Sequence, residues 1–188
     1  MSHRTARRRR TAALGAIDMS SDVSDYRAHF DSMYVAGIPR LLNDDGAFLS
    51  FLAVLTGTEA LAGLYAPSQG TGERFRAFVG RFYPPGLRQD SEKMWRFRNA
   101  MVHSFNPGPY ALTHRSLRAH LTVLNGLTVL NAEDFYAALL FAAHAYFAEL
   151  SVSAELQANF KKRTENPDGG AIQTWVVEQV HVPPSRGA

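Results

Sequence analysis

The chain contains no cysteine among its 188 residues. That excludes disulfide bridges, thiolate zinc centres and a cysteine nucleophile, and it fits a reducing, cytoplasmic setting. Long apolar segments are also scarce. The apolar stretches carry polar residues at intervals, which makes them core helices, and no apolar run is expected to be long enough to cross a bilayer. The basic start has no apolar segment behind it, so it lacks the pattern of a secretory leader. A phosphate-binding G-K-[ST] loop is missing from "SQGTGERF", and the chain has no serine-hydrolase elbow. His114 and His120 stand six apart on expected strands without a carboxylate beside them, so no metal site and no cofactor is expected.

What the chain does have is an uneven charge. Five arginines (Arg4, Arg7, Arg8, Arg9, Arg10) crowd the first ten residues, and without them 15 basic residues face 17 acidic ones. The net +3 is therefore a property of a basic tail, residues 1–22, which is expected to be disordered. A second surplus lies within 73–118, where nine arginines and lysines, among them Lys93, Arg96, Arg98 and Arg115, face only Glu73, Asp90 and Glu92. A polyanion such as RNA or a nucleotide is the partner such a surplus would suit, and a solvated helix face is the plain alternative.

Periodicity divides the rest. Tyr26, Phe30, Tyr34 and Ile38 recur every four residues and predict a first helix over 24–43, bent near Pro39. Asp44 or Asp45 is positioned to cap a second helix reaching Ala66. That helix is apolar almost all round, so Glu59 within it needs a basic partner, with Arg98 the leading choice. A third helix is expected over 73–83, ended by "PPG", and a fourth from Gln89 or Asp90 to Ser104, ended by "NPGP". Alternation then changes to period two, and Asn125–Gly126 marks a tight hairpin turn. Asn131 opens a long fifth helix to about Lys162, with Asp134 in its first turn. The β-branched "IQTWVVEQVHV" suggests a short strand within a C-terminal extension, 166–188. The expected domain, 23–165, is an all-α bundle of about five helices with a small β-hairpin before the last long helix.

One stretch joins these features. "MWRFRNAMVHSF" ends the fourth helix and carries Arg98, Asn99 and His103. Asn99 and His103 are four apart and share a face, where Asn99 can bond the imidazole and fix its tautomer. Arg98 lies about 140° round the axis from His103, yet is long enough to reach a ligand lying along the helix. A histidine that moves a proton and a guanidinium that clamps phosphoryl oxygens suit RNA cleavage by the 2′-hydroxyl, without a metal. One protomer offers one such histidine, and a two-fold dimer would offer two. The same residues also admit a structural reading: Arg98 paired with Glu59, Asn99 on the surface and His103 as a C-terminal helix cap.

The arginine, polar residue, three variable residues and histidine of "RNAMVH" resemble the signature of HEPN domains. The likeness extends in order through "FLAVLTGTEALAGLY", "RFRAFVGRFYP" and "TVLNAEDFYAALL", roughly residues 24–160, and is to bacterial HEPN-like proteins. The resemblance implies a helical bundle, a homodimer with facing motifs, and Arg98, Asn99 and His103 as catalytic residues. On the same reading the basic surplus of 73–118 would supply RNA contacts from Arg96, Lys93 and Arg115, with Glu59 supporting. Two functions follow from it. One is a metal-independent endoribonuclease, a toxin or defence effector with an antitoxin or nucleotidyltransferase as partner. The other is a non-catalytic scaffold that binds a nucleotide, RNA or a protein.

Overall fold

Nineteen residues, Ala47–Tyr65, form the helix around which the others pack, and Glu59 is their only charge. The computed structural model describes residues 19–43, 46–116 and 118–165. Its elements in order are α1 (Met19–Phe30), a π-helical turn (Asp31–Val35), α2 (Ile38–Asn43), α3 (Ala47–Tyr65), α4 (Thr71–Phe82), the one-turn α5 (Pro85–Arg88), α6 (Ser91–Ser104), β1 (Tyr110–Thr113), β2 (Val123–Leu124), β3 (Leu127–Asn131), α7 (Ala132–Leu150) and α8 (Ala154–Thr164). The protein is mostly helical with a small three-stranded sheet.

The central α3 packs against α2, α4, α6, α7 and α8. Phe51, Val54, Leu55, Leu61 and Ala62 are sealed within this core, and Phe51 stacks on Phe135 of α7. Two buried hydroxyls on the same helix are satisfied locally: Ser50 donates to Ala47 O and Thr58 to Val54 O. By length and composition α3 could cross a membrane, with a mean hydropathy of 1.6. The expectation that no run is long enough is corrected here; the neighbouring helices bury most of this one.

The first expected helix is broken earlier than Pro39. The ladder widens at Asp31–Val35, where Ala36 N–H reaches Asp31 O at 2.8 Å. At Gly37 a side chain would overlap the Met33 carbonyl oxygen, so the tight exit from the π turn requires glycine. Pro39 then sits in the first turn of α2, where a missing N–H costs nothing. Helix α1 also begins at Met19, inside the stretch assigned to the tail. The second helix is capped at Gly46 without a side-chain bond; Asp44 and Asp45, named as its caps, lie outside the described residues, as do most of the basic tail and the C-terminal strand.

The long fifth helix divides as well. Helix α7 ends at Leu150, and α8 leaves it at 106° after Ser153, whose hydroxyl caps the Leu156 N–H at 3.3 Å. Asn131 does precede α7, but its side chain does not cap the helix; it accepts from Ser116 N–H and donates to Asp134. The Asn125–Gly126 turn is present, with φ of 51° and 77° and Leu124 paired to Leu127. Its first arm is only two residues long. The hairpin is extended into a sheet of order β1-β3-β2 by β1, which runs parallel to β3 with Tyr110 opposite Thr128.

Candidate functional site around Arg98

Helix α6 has three faces with separate tasks. Met94, Phe97 and Met101 recur at helical spacing and are fully buried, with Phe97 packed edge-on against Phe51 and Tyr110. This anchors the helix and fixes the direction of everything else on it. The chain leaves α6 through Phe105, which takes the left-handed conformation at φ 50°, while Asn106 N–H bonds Ala100 O.

Arg98 points to the flank facing α3. Its Nε and Nη2 both donate to Glu59 Oε2, at 2.8 and 2.6 Å, and Nη1 donates to Asn99 Oδ1 at 3.2 Å. The guanidinium carbon lies 5.4 Å from the Trp95 ring centre. The side chains are 17% and 23% exposed, so the pair is largely withdrawn from water. The expected Glu59–Arg98 partnership is therefore present, and it engages most of the hydrogen-bonding fork that phosphate recognition would use.

Asn99 is committed to Arg98 and makes no bond to the imidazole, which corrects the expectation that it selects the His103 tautomer. His103 sits in the last turn, exposed, without a hydrogen-bond partner among the described residues. The three motif residues are brought to one end of α6, but Arg98 and His103 point to different sides of it.

The basic surplus is dispersed. Arg81 pairs with Glu149, while Arg76 and Arg96 share Glu92 at 3.4 and 3.5 Å. Lys93 bonds Thr128, faces Asp90 at 3.9 Å and lies 4.6 Å from the Tyr110 ring centre. Arg115 is held past the other end of β1, its backbone N–H on the Glu133 carboxylate and its guanidinium on Asn43 O. Lys93, Arg96 and Arg115 thus do not converge; of the three, only Arg96 shares the outer face of α6 with Asn99 and His103.

His120, by contrast, gained an unforeseen setting. Its Nδ1 accepts from Asn131 N–H at 3.2 Å, which requires the neutral ring. Burial lowers its pKa, opposed by nearby Asp134. Among the described residues no cluster of histidine and carboxylate side chains has the makings of a metal centre.

Sequence reasoning missed two arginines beside the Glu59–Gly63 face of α3. Arg163, in the last turn of α8, lies over Gly63, with its Nε 3.5 Å from where a glycine Cβ would be. Arg74 of α4 lies within electrostatic reach of both Arg163 and Glu59, and its Nε is buried without a partner. The available signal was Gly63 itself, one turn beyond Glu59, where a missing side chain lets a neighbour approach.

Comparison with protein-family models, with curated proteins and with solved structures returned no match. The likeness to HEPN domains rests on the motif and its surroundings alone.

Proposed function

We propose that the chain is a HEPN-like domain that holds single-stranded RNA on the outer face of α6 without cutting it. The observation that carries this reading is the commitment of Arg98 to Glu59 and Asn99. A guanidinium already bonded to a carboxylate is poorly placed to take up the charge of a pentacovalent phosphorus. The exposed stripe Arg96, His103 and Phe105, with Asn99 half-buried beside it, offers a cation, hydrogen-bonding groups and an aromatic face. Phe105 is 72% exposed at the helix end, where a base can stack on it.

The test is fluorescence anisotropy of a labelled single-stranded RNA, with the same samples run on a gel in EDTA. The expected result is binding that weakens with salt, falls on Arg96→Ala and Phe105→Ala, and leaves the RNA intact. Absence of binding at low salt would overturn the reading.

Cleavage is a second reading favoured by one observation. His103 is free, and beside it Val102 and Phe105 form an exposed apolar end to α6, 37% and 72% exposed. A second copy covering that end would bring two histidines together as acid and base. Cyclic 2′,3′-phosphate ends that vanish with His103→Ala would favour it.

A further inference from the structure

We propose a phosphate-binding site on the opposite flank of α6, formed by Arg74 and Arg163 beside the Arg98–Glu59 pair. Three elements deliver the three guanidiniums to one patch of α3: Arg98 from α6, Arg74 from α4 and Arg163 from α8. Glu59 and Gly63 lie one turn apart on α3 and so share a face. Arg98 bonds the carboxylate directly, and Arg163 occupies the space that the missing Gly63 side chain leaves. Trp95 closes one side, stacking on Arg98 and filling the space a side chain at Gly72 would need. Two close approaches of large side chains to glycines shape this part of the surface.

The charges do not balance within the protein. Three guanidiniums gather on this patch of α3 with one carboxylate, which Arg98 already bonds, leaving a surplus of two positive charges. Among the described residues, neither Arg74 nor Arg163 has a hydrogen bond or ion pair, although the other arginines of the basic segment with described side chains mostly do. The buried Nε of Arg74 is the sharpest sign, since a buried donor without an acceptor is costly. Burial and the neighbouring Arg163 both disfavour its charge, with Glu59 opposing them.

A phosphate monoester answers each of these features. It carries about two negative charges near neutrality, which matches the surplus, and its three oxygens accept from forked guanidinium donors. Glu59 then orients Arg98 and keeps the arginines gathered when no phosphate is present. A diester, with one charge, leaves the site half neutralised, so a terminal phosphate fits better than an internal one. The site lies apart from the outer face of α6 and does not depend on the RNA reading above.

The experiment is thermal denaturation of the full chain with inorganic phosphate, against chloride at equal ionic strength. A nucleoside 5′-monophosphate and a short RNA with or without a 5′-phosphate identify the source of the group. Phosphate should raise Tm by roughly 2–5 °C beyond chloride. In Arg74→Gln and Arg163→Gln the phosphate-free Tm should hold or rise, because repulsion is relieved, and the phosphate increment should disappear. Arg163→Lys should keep part of it. Backbone amide NMR of the unaltered protein should show phosphate-dependent shifts at Gly63, Arg74 and Trp95, which keeps the test open if a variant fails to fold. No increment over chloride, an increment that survives both glutamine substitutions, or shifts confined to other residues would overturn the site. RNA binding without a phosphate effect defeats this site alone; a phosphate effect without RNA binding defeats only the RNA reading.

Discussion

Arg98 and Glu59, 39 positions apart in the chain, meet on a single oxygen: both Nε and Nη2 of the arginine donate to Oε2. The contact ties α6 to the centre of α3 and spends the motif arginine on architecture. Arg98→Ala should therefore destabilise the fold by about 2 kcal/mol, below the full cost of opening a wholly buried pair because some water reaches both side chains. Glu59→Gln should cost less, since an amide oxygen can still accept. A double-mutant cycle by urea denaturation should return a coupling energy of about 1–2 kcal/mol. Additive effects would mean that the contact does not hold in solution.

How legible this was depends on the range of the interaction. The Glu59 partnership could be anticipated because a lone charge in an apolar helix has few solutions, and a basic segment lay close at hand. The Asn125–Gly126 turn was equally readable, because its positive φ angles select for those residue types locally. The break after Phe30 was not, since it depends on the approach of Gly37 to Met33 O, a contact within the irregular turn that the four-residue periodicity conceals. The parallel pairing of β1 with β3 was hidden for another reason: it is made by strands far apart in sequence, and alternation does not reveal which edges meet. The site divided along the same line. Glu59 and Arg98 were found, whereas Arg74, although it opens the same basic segment, and Arg163 were not, because which flank of α4 and α8 reaches α3 is decided by helix packing.

Gly37→Ala offers a direct test of the π turn. The added methyl has no room beside the Met33 carbonyl, so the turn must re-form with a shifted register. The expected cost is about 2–3 kcal/mol, well above the usual helical preference for glycine or alanine. Urea denaturation and the Tyr136 contact both report on it, because Tyr136 OH donates to Val35 O within that turn at 2.7 Å. A stabilising effect of alanine would show that α1 continues through the turn as regular helix.

Alkaline pH should weaken the protein. Tyr83 is fully buried with its hydroxyl 2.5 Å from Thr58 Oγ1. Thr58 already donates to Val54 O, so the phenol is the donor and must keep its proton. Burial pushes Tyr83, Tyr110 and Tyr146 far above the ordinary phenol range, and it pushes Tyr26 up to about 12. A pKa raised in the fold favours the protonated phenol. The stabilising contribution is complete below the unfolded value of 10.0 and is lost as pH rises towards about 12. Unfolding free energy should fall by about 1–3 kcal/mol for each of these phenols over that interval. Tyr83→Phe should reduce the fall while costing about 1 kcal/mol at neutral pH through the lost hydrogen bond. A flat profile above pH 10.0 would show these phenols to be open to solvent.

The last prediction separates holding RNA from cutting it. His103 is exposed and makes no hydrogen bond among the described residues, so His103→Ala should leave stability within about 0.5 kcal/mol of the unaltered protein. If α6 only holds RNA, the substitution weakens affinity by about 1 kcal/mol through a lost hydrogen bond, and neither protein leaves cleaved ends in EDTA. If a two-fold dimer supplies acid and base, cleavage falls by on the order of a hundred- to ten-thousand-fold with His103→Ala, while affinity changes little. The Arg98–Glu59 pair sharpens the contrast. Glu59→Gln frees the guanidinium from a full negative charge without removing it. In a nuclease restrained by this pair, cleavage should rise; in a binding domain, only stability should respond. Measuring cleavage, affinity and urea stability on the three proteins together distinguishes the two, because an effect through unfolding alone would lower all three signals in step. The geometry of Arg98 leads us to expect intact RNA throughout, with affinity the only property of the outer face that His103→Ala alters.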